Sequence, residues 1–181
     1  MNALGMIELN NIPVGIESAD AMLKTADVRL VSAQPVCAGK YIAIVAGDVM
    51  AVRSAVQAGC ENAADKLVDS LVIPNVNEQV LAAVGACSDI GQVNAVGIIE
   101  TFSLCAAVLC ADTAVKAANI DLIEVRLGRG LGGKSFVILT GDVSAAEAAV
   151  SAARALEETE GLLSQCVVIP SPHQDLIGSL L

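Results

Sequence analysis

Ala3-Leu4-Gly5-Met6-Ile7-Glu8 returns as Ala95-Val96-Gly97-Ile98-Ile99-Glu100, an offset of 92 residues. The same offset carries Ala19-Asp20-Ala21-Met22-Leu23-Lys24-Thr25-Ala26 onto Ala111-Asp112-Thr113-Ala114-Val115-Lys116-Ala117-Ala118. Gly39-Lys40 and Gly47-Asp48-Val49 match Gly133-Lys134 and Gly141-Asp142-Val143 at an offset of 94, and Val72-Ile73-Pro74 matches Val168-Ile169-Pro170 at 96. Two residues are thus added at each of two places, and both places read as loops. Each half also carries 10 acids and 5 bases. Self-similarity over this length is the mark of duplication. The chain reads as two homologous domains, residues 1–90 and 91–181, joined near Ser88 to Asn94.

Each copy reads β-α-β-β-α-β. Leu4 to Leu9 is short, apolar and bounded by polar residues, as a strand is. Pro13 sits where a first-turn proline is tolerated, and the helix behind it runs to about Ala26. Val28 to Val36 sets Val28 and Leu30 against Arg29 and Ser32, the alternation of a half-buried strand. Tyr41 to Ala46 is a further strand that ends at Gly47. Asp48 then caps a helix whose Val49, Val52 and Val56 share one face, and Val143, Ala146 and Val150 repeat that stripe. Lys66 to Pro74 closes the domain with a last strand. An antiparallel sheet with helices on one face is the compact solution for this order, an α+β domain of ferredoxin-like type.

Composition excludes several classes of function. Net charge is −10, and the 10 bases are scattered, so there is no clustered Lys and Arg to bind nucleic acid. Tyr41, Phe102 and Phe136 are the three aromatics, too few for base-stacking platforms. The longest stretch free of charged residues is Gly161 to Gln174, 14 residues interrupted by two prolines, too short to cross a membrane. No basic segment followed by an apolar one opens the chain, so the six cysteines are expected as thiols in a reducing cytoplasm. One histidine and no recognisable nucleophile–base motif leave little to build an active site from, and no enzyme is expected.

The repeated blocks resemble the shell domain of bacterial microcompartments over nearly the whole chain. The residues that carry the likeness are Gly5-Met-Ile-Glu8, Asp20-Ala-Met-Leu-Lys24-Thr-Ala26, Gly39-Lys40, Gly47-Asp48-Val49 and Val72-Ile73-Pro74. Two copies in unpermuted order resemble the tandem-domain shell trimers, in particular the propanediol-utilisation branch that carries an iron–sulfur cluster at the pore. The resemblance implies a homotrimer imitating a six-fold ring, with discs tiling edge to edge with other shell proteins and encapsulated enzymes among the partners. It places the β2–β3 loops on the central axis. These are Pro35-Val36-Cys37-Ala38-Gly39 in the first copy and Leu127-Gly128-Arg129-Gly130-Leu131-Gly132-Gly133 in the second, the segment where the copies differ most. Cys37, Ala38, Gly39, Arg129 and Gly130 are then the pore residues. Cys37 matches the cluster ligand of that branch, although Ala38 stands where proline is expected. Lys24 and Lys116 match the lysine that meets its counterpart across the disc edge.

Each motif also has a plainer meaning. Three copies of Cys37 would supply three thiolates toward a [4Fe–4S] cluster that usually takes four, or Cys37 is only a small residue at a pore rim. Gly128-x-Gly130-x-x-Gly133 satisfies the dinucleotide fingerprint by letter. That fingerprint requires a helix behind it, and Lys134 to Thr140 reads as a strand. The glycines are read instead as the consequence of crowding at a symmetry axis. Arg129 points to solvent, or inward where three guanidinium groups offset a thiolate-bound cluster or draw in anions. Cys60, Cys87, Cys105, Cys110 and Cys166 are read as buried small hydrophobes. His173 is read as a terminal or edge contact. The function expected is a shell tile whose pore cluster serves electron transfer or cluster exchange across the shell. The alternatives are a tile with a metal-free metabolite pore and, from another class, a small-ligand-binding regulatory trimer.

Overall fold

The computed structural model describes residues 3–86, 88 and 90–180. By its contacts the chain divides into two units. The first takes residues up to Val76 together with the loop Gly128–Gly133, and the second takes Asn77–Leu127 and Lys134 onward.

The first unit runs β1 (Ala3–Leu9), α1 (Ile12–Thr25), β2 (Val28–Val36), β3 (Lys40–Gly47), α2 (Val49–Ala63) and β4 (Leu67–Ile73), with a 3-10 turn, Ala64–Lys66, before β4. Its sheet has the order β2-β3-β1-β4 with every pair antiparallel. That is the α+β arrangement expected from the element order. β1 is central and all seven of its residues are buried. α1 and α2 pack on that sheet through Met22, Val52, Ala55 and Val56, which join Ile7, Leu9, Tyr41 and Val45 in one core. Asn11, not read as a cap from the sequence, starts α1 by accepting the Val14 N–H at 3.1 Å. Asp48 starts α2 as expected, accepting the Met50 N–H at 2.9 Å.

The second unit opens with α3 (Glu78–Val84), then runs β5 (Ala95–Thr101), α4 (Leu104–Ala117), β6 (Ile120–Leu127), β7 (Ser135–Gly141), α5 (Val143–Arg154), β8 (Leu163–Ile169) and α6 (Gln174–Leu180). Its sheet repeats the first, β6-β7-β5-β8, again antiparallel throughout. Even the irregularities recur. The shift at Leu30/Ser32 returns at Leu122/Glu124, and that at Glu8/Leu9 returns at Glu100/Thr101. Asp142 sits at the start of α5 but makes no side-chain capping bond.

α3 was not anticipated, and by its contacts it groups with the second unit. The physical reason lies in what it bonds to. Asn77 caps α3 through the Gln79 N–H and donates its own N–H to the buried Asp112 of α4, at 2.8 Å. The Gln79 side chain accepts from Leu122 N–H at 2.9 Å and donates to the Ile120 carbonyl at 3.3 Å, occupying the outer edge of β6. α3 therefore belongs with the second unit.

Candidate pore loops and edge lysines

The β2–β3 turn, residues 37–39, carries Cys37, Ala38 and Gly39. Gly39 has φ +76°, a backbone conformation that side chains rarely adopt. The loop Gly128–Gly133 groups with this same unit and supplies its neighbours. Cys37 N–H donates to the Gly128 carbonyl at 3.0 Å, and Gly130 N–H donates to Cys37 Sγ at 3.4 Å. Arg129 Nη2 donates to Gln34 Oε1 at 2.7 Å. Cys37, Arg129 and Gly130, named together from the sequence, thus lie in one cluster, with Cys37 half-exposed and the other two exposed. Its single cation is held by a neutral amide, so its positive charge is not offset within the cluster.

Within the single chain the glycines of this loop are called for by backbone conformation. Gly128, Gly130, Gly132 and Gly133 all have positive φ, and a Cβ built on Gly130 or Gly132 would meet nothing within 4 Å. The backbone conformation alone calls for glycine there. β7 follows directly, so no helix begins behind this loop and the dinucleotide fingerprint is without its structural context.

The other cysteines divide. Cys105, Cys110 and Cys166 are buried, as expected, whereas Cys60 is only half-buried and Cys87 lies outside the described residues. Burial pushes the Cys110 thiol up to about 12; neighbouring Cys166 adds to this, and a hydrogen bond with Thr159 partly offsets it. Such a thiol is inert at neutral pH and a poor metal ligand. Burial also raises the Cys60 thiol, against a lowering hydrogen bond from Ser70. Cys37 shares its partial exposure with Cys60 and differs from it in position, on the β2–β3 turn rather than within a helix.

Lys24 and Lys116 occupy the last turns of α1 and α4, and each pairs with the acid one turn before it, Asp20 and Asp112, at 2.5 Å. Lys24 and Asp20 are both exposed. Lys116 is half-exposed and its partner Asp112 is buried beneath Asn77. The two lysines are therefore equivalent in sequence but differently restrained. His173 is exposed, and its ring Nδ1 accepts the Asp175 N–H at 3.2 Å.

Sequence reasoning missed a repeated ion pair. Lys40 Nζ meets the fully buried Glu8 at 2.6 Å, and Lys134 Nζ meets Glu100 at 3.0 Å. Ser164 hydroxyl donates to Glu100 at 2.6 Å and, ahead of Lys134, holds its carboxyl below the usual carboxylate range. The signal was present, because all four charged residues stand inside the matched blocks.

Among the described residues no helix is long and apolar enough to cross a membrane. Compared with known proteins, residues 3–76 and 95–172 each match the family model of the BMC domain. The chain belongs to the BMC-domain family of bacterial microcompartment shell proteins. It is 42% identical over 174 residues to the bacterial microcompartment shell protein PduT of Citrobacter freundii, covering 96% of this chain and 95% of that one. It is 33% identical over 191 residues to the carboxysome assembly protein CcmO of Synechococcus elongatus, covering 98% and 68%. The crystal structure of a microcompartment protein from Desulfitobacterium hafniense superposes with a TM-score of 0.91 at 50% identity, covering 98% and 99%.

Proposed function

We propose that three chains close into a pseudohexagonal tile with a central pore, rimmed by Cys37, Ala38, Gly39, Arg129 and Gly130. In this reading three Cys37 thiolates hold one [4Fe–4S] cluster on the axis. The observation that carries it is the Cys37 cluster. A half-exposed sulfur accepts the Gly130 N–H, Arg129 of the same loop is held by Gln34, and the buried Cys105, Cys110 and Cys166 are shut away from solvent. Thiolates are the usual ligands of such clusters, and hydrogen bonds to their sulfurs tune the potential. When bound, the cluster would supply one-electron redox chemistry, suiting electron transfer or cluster exchange across the shell. The protein's own part is to position sulfur, donate the amide hydrogen bond and place positive charge nearby. The role is structural rather than catalytic.

Anaerobic purification tests the cluster. The expected result is a brown protein with broad absorption near ~400 nm, as thiolate-bound iron–sulfur clusters give. Cys37→Ser should reduce iron and sulfide to background with the oligomer unchanged, because a serine hydroxyl does not ionise near neutral pH. One observation favours a second reading: each chain brings one thiol to the loop, and three is one short of the usual four. If wild-type protein carries no more iron than the Cys37→Ser variant, the pore is metal-free and passes metabolites.

A further inference from the structure

Glu124 and Arg126 of β6 share one side of the second sheet with Phe136 of β7, which stands opposite Arg126 in the register. Arg126 donates from Nε to Glu124 Oε1 at 2.7 Å and from Nη2 to Oε2 at 3.0 Å. Its guanidinium also lies over the Phe136 ring, 5.0 Å from the centroid. A carboxylate on one edge and a ring against one face fix the plane and direction of the guanidinium before any ligand arrives. A guanidinium has five N–H groups, and Glu124 takes one from Nε and one from Nη2. Those left include an adjacent pair, one on each terminal nitrogen, the pattern that grips a second carboxylate by two parallel bonds. The matching positions of the first sheet hold Ser32, Gln34 and Ile42 in the same register. The charged pair and its ring are thus peculiar to the second copy.

Glu124 and Arg126 line a pocket of about 510 Å³ within the second unit, the size of a small-molecule site. Ile123 and Leu180 give it an apolar wall, continuous with the cluster on Val96 and Ile138. Two hydroxyls complete the lining. That of Ser179 is committed to the Leu176 carbonyl at 2.7 Å. The Ser88 hydroxyl is buried and meets no partner among the described residues. A buried hydroxyl in that position costs stability until something bonds it.

We propose that this pocket binds an aliphatic monocarboxylate. The carboxylate takes the free edge of Arg126 and the Ser88 hydroxyl, and the alkyl chain lies along Ile123 and Leu180. Glu124 selects the charge: it already offsets Arg126, so a singly charged carboxylate is accommodated where a doubly charged phosphate meets a like charge. The site lies apart from the residues assigned to the pore, and the proposal does not rest on the trimer or on the cluster.

Saturation-transfer NMR of hexanoate with the full chain tests it, with hexan-1-ol as the uncharged probe of the same length. Hexanoate should bind saturably, and at least about 10-fold more tightly than hexan-1-ol, as charge-assisted hydrogen bonds require. Arg126→Gln should abolish that preference with the circular dichroism unchanged, because the ion pair is half-exposed. Lys66→Gln removes the same charge from an exposed pair in the first unit and should leave binding as it is. Ser88→Ala should weaken hexanoate about 10-fold without lowering the thermal stability of the ligand-free protein, since the hydroxyl it removes bonds nothing there. The site is overturned if wild-type protein shows no saturable hexanoate binding or binds hexan-1-ol as tightly. It is overturned equally if binding survives both Arg126→Gln and Ser88→Ala.

Discussion

Gly5 and Gly97 show how much a single position constrains this fold. A Cβ on Gly5 would lie 2.5 Å from Val56 Cγ2 and 2.7 Å from Val52 Cγ1, and one on Gly97 would lie 2.6 Å from Leu139 Cδ1. The helices sit on the central strands because no side chain intervenes there. Gly5→Ala or Gly97→Ala should cost about 1–3 kcal/mol, as overpacking of a filled core does, measured as a shift of the urea midpoint. Cys110 gives a second residue-level expectation. Folding lifts its thiol from 9.0 to about 12, so the folded state keeps a proton that the unfolded state releases across that range. Stability should fall as pH rises through that window, and Cys110→Ala should flatten part of the decline in urea titrations at several pH values. At neutral pH, Cys110 should resist alkylation until the protein is denatured. The loop around Cys37 was legible because the two copies diverge there. Its hydrogen bond from Gly130 was not, since the two residues are 93 apart and lie at non-equivalent positions of the repeat.

At the scale of elements, strands and long helices were readable because periodicity spans them. β2 matches its expected bounds, and the stripe of Val49, Val52 and Val56 does face the sheet. α3 and α6 were not readable. Seven residues give less than two full turns of pattern, and what fixes α3 is a set of bonds to α4 and β6 that no local window contains. The same long-range contact explains why Lys24 and Lys116, at matching positions of the repeat, are differently restrained. As part of the proposed tile, Lys24→Ala should reduce sheet assembly in electron micrographs while leaving the trimer intact, since a small contact repeated along every edge acts through multiplicity. Lys116→Ala alone should do less, because Lys116 is already tied to the buried Asp112. Normal sheets from the Lys24→Ala, Lys116→Ala double variant would remove the edge role from both.

For the whole molecule, duplication was the most legible feature, because offsets of 92, 94 and 96 recur in strands, helices and register shifts alike. What duplication did not reveal is that the repeat leaves its last helix behind, on the unit that follows. That displacement leaves Leu30 exposed where its repeat mate Leu122 is covered, and the proposed trimer would bury such surface. Native mass spectrometry of the purified protein tests this most directly. The account predicts a dominant species of three chains of 18.3 kDa each, with or without the added mass of a cluster. A dominant species of a single 18.3 kDa chain at micromolar concentration would contradict it.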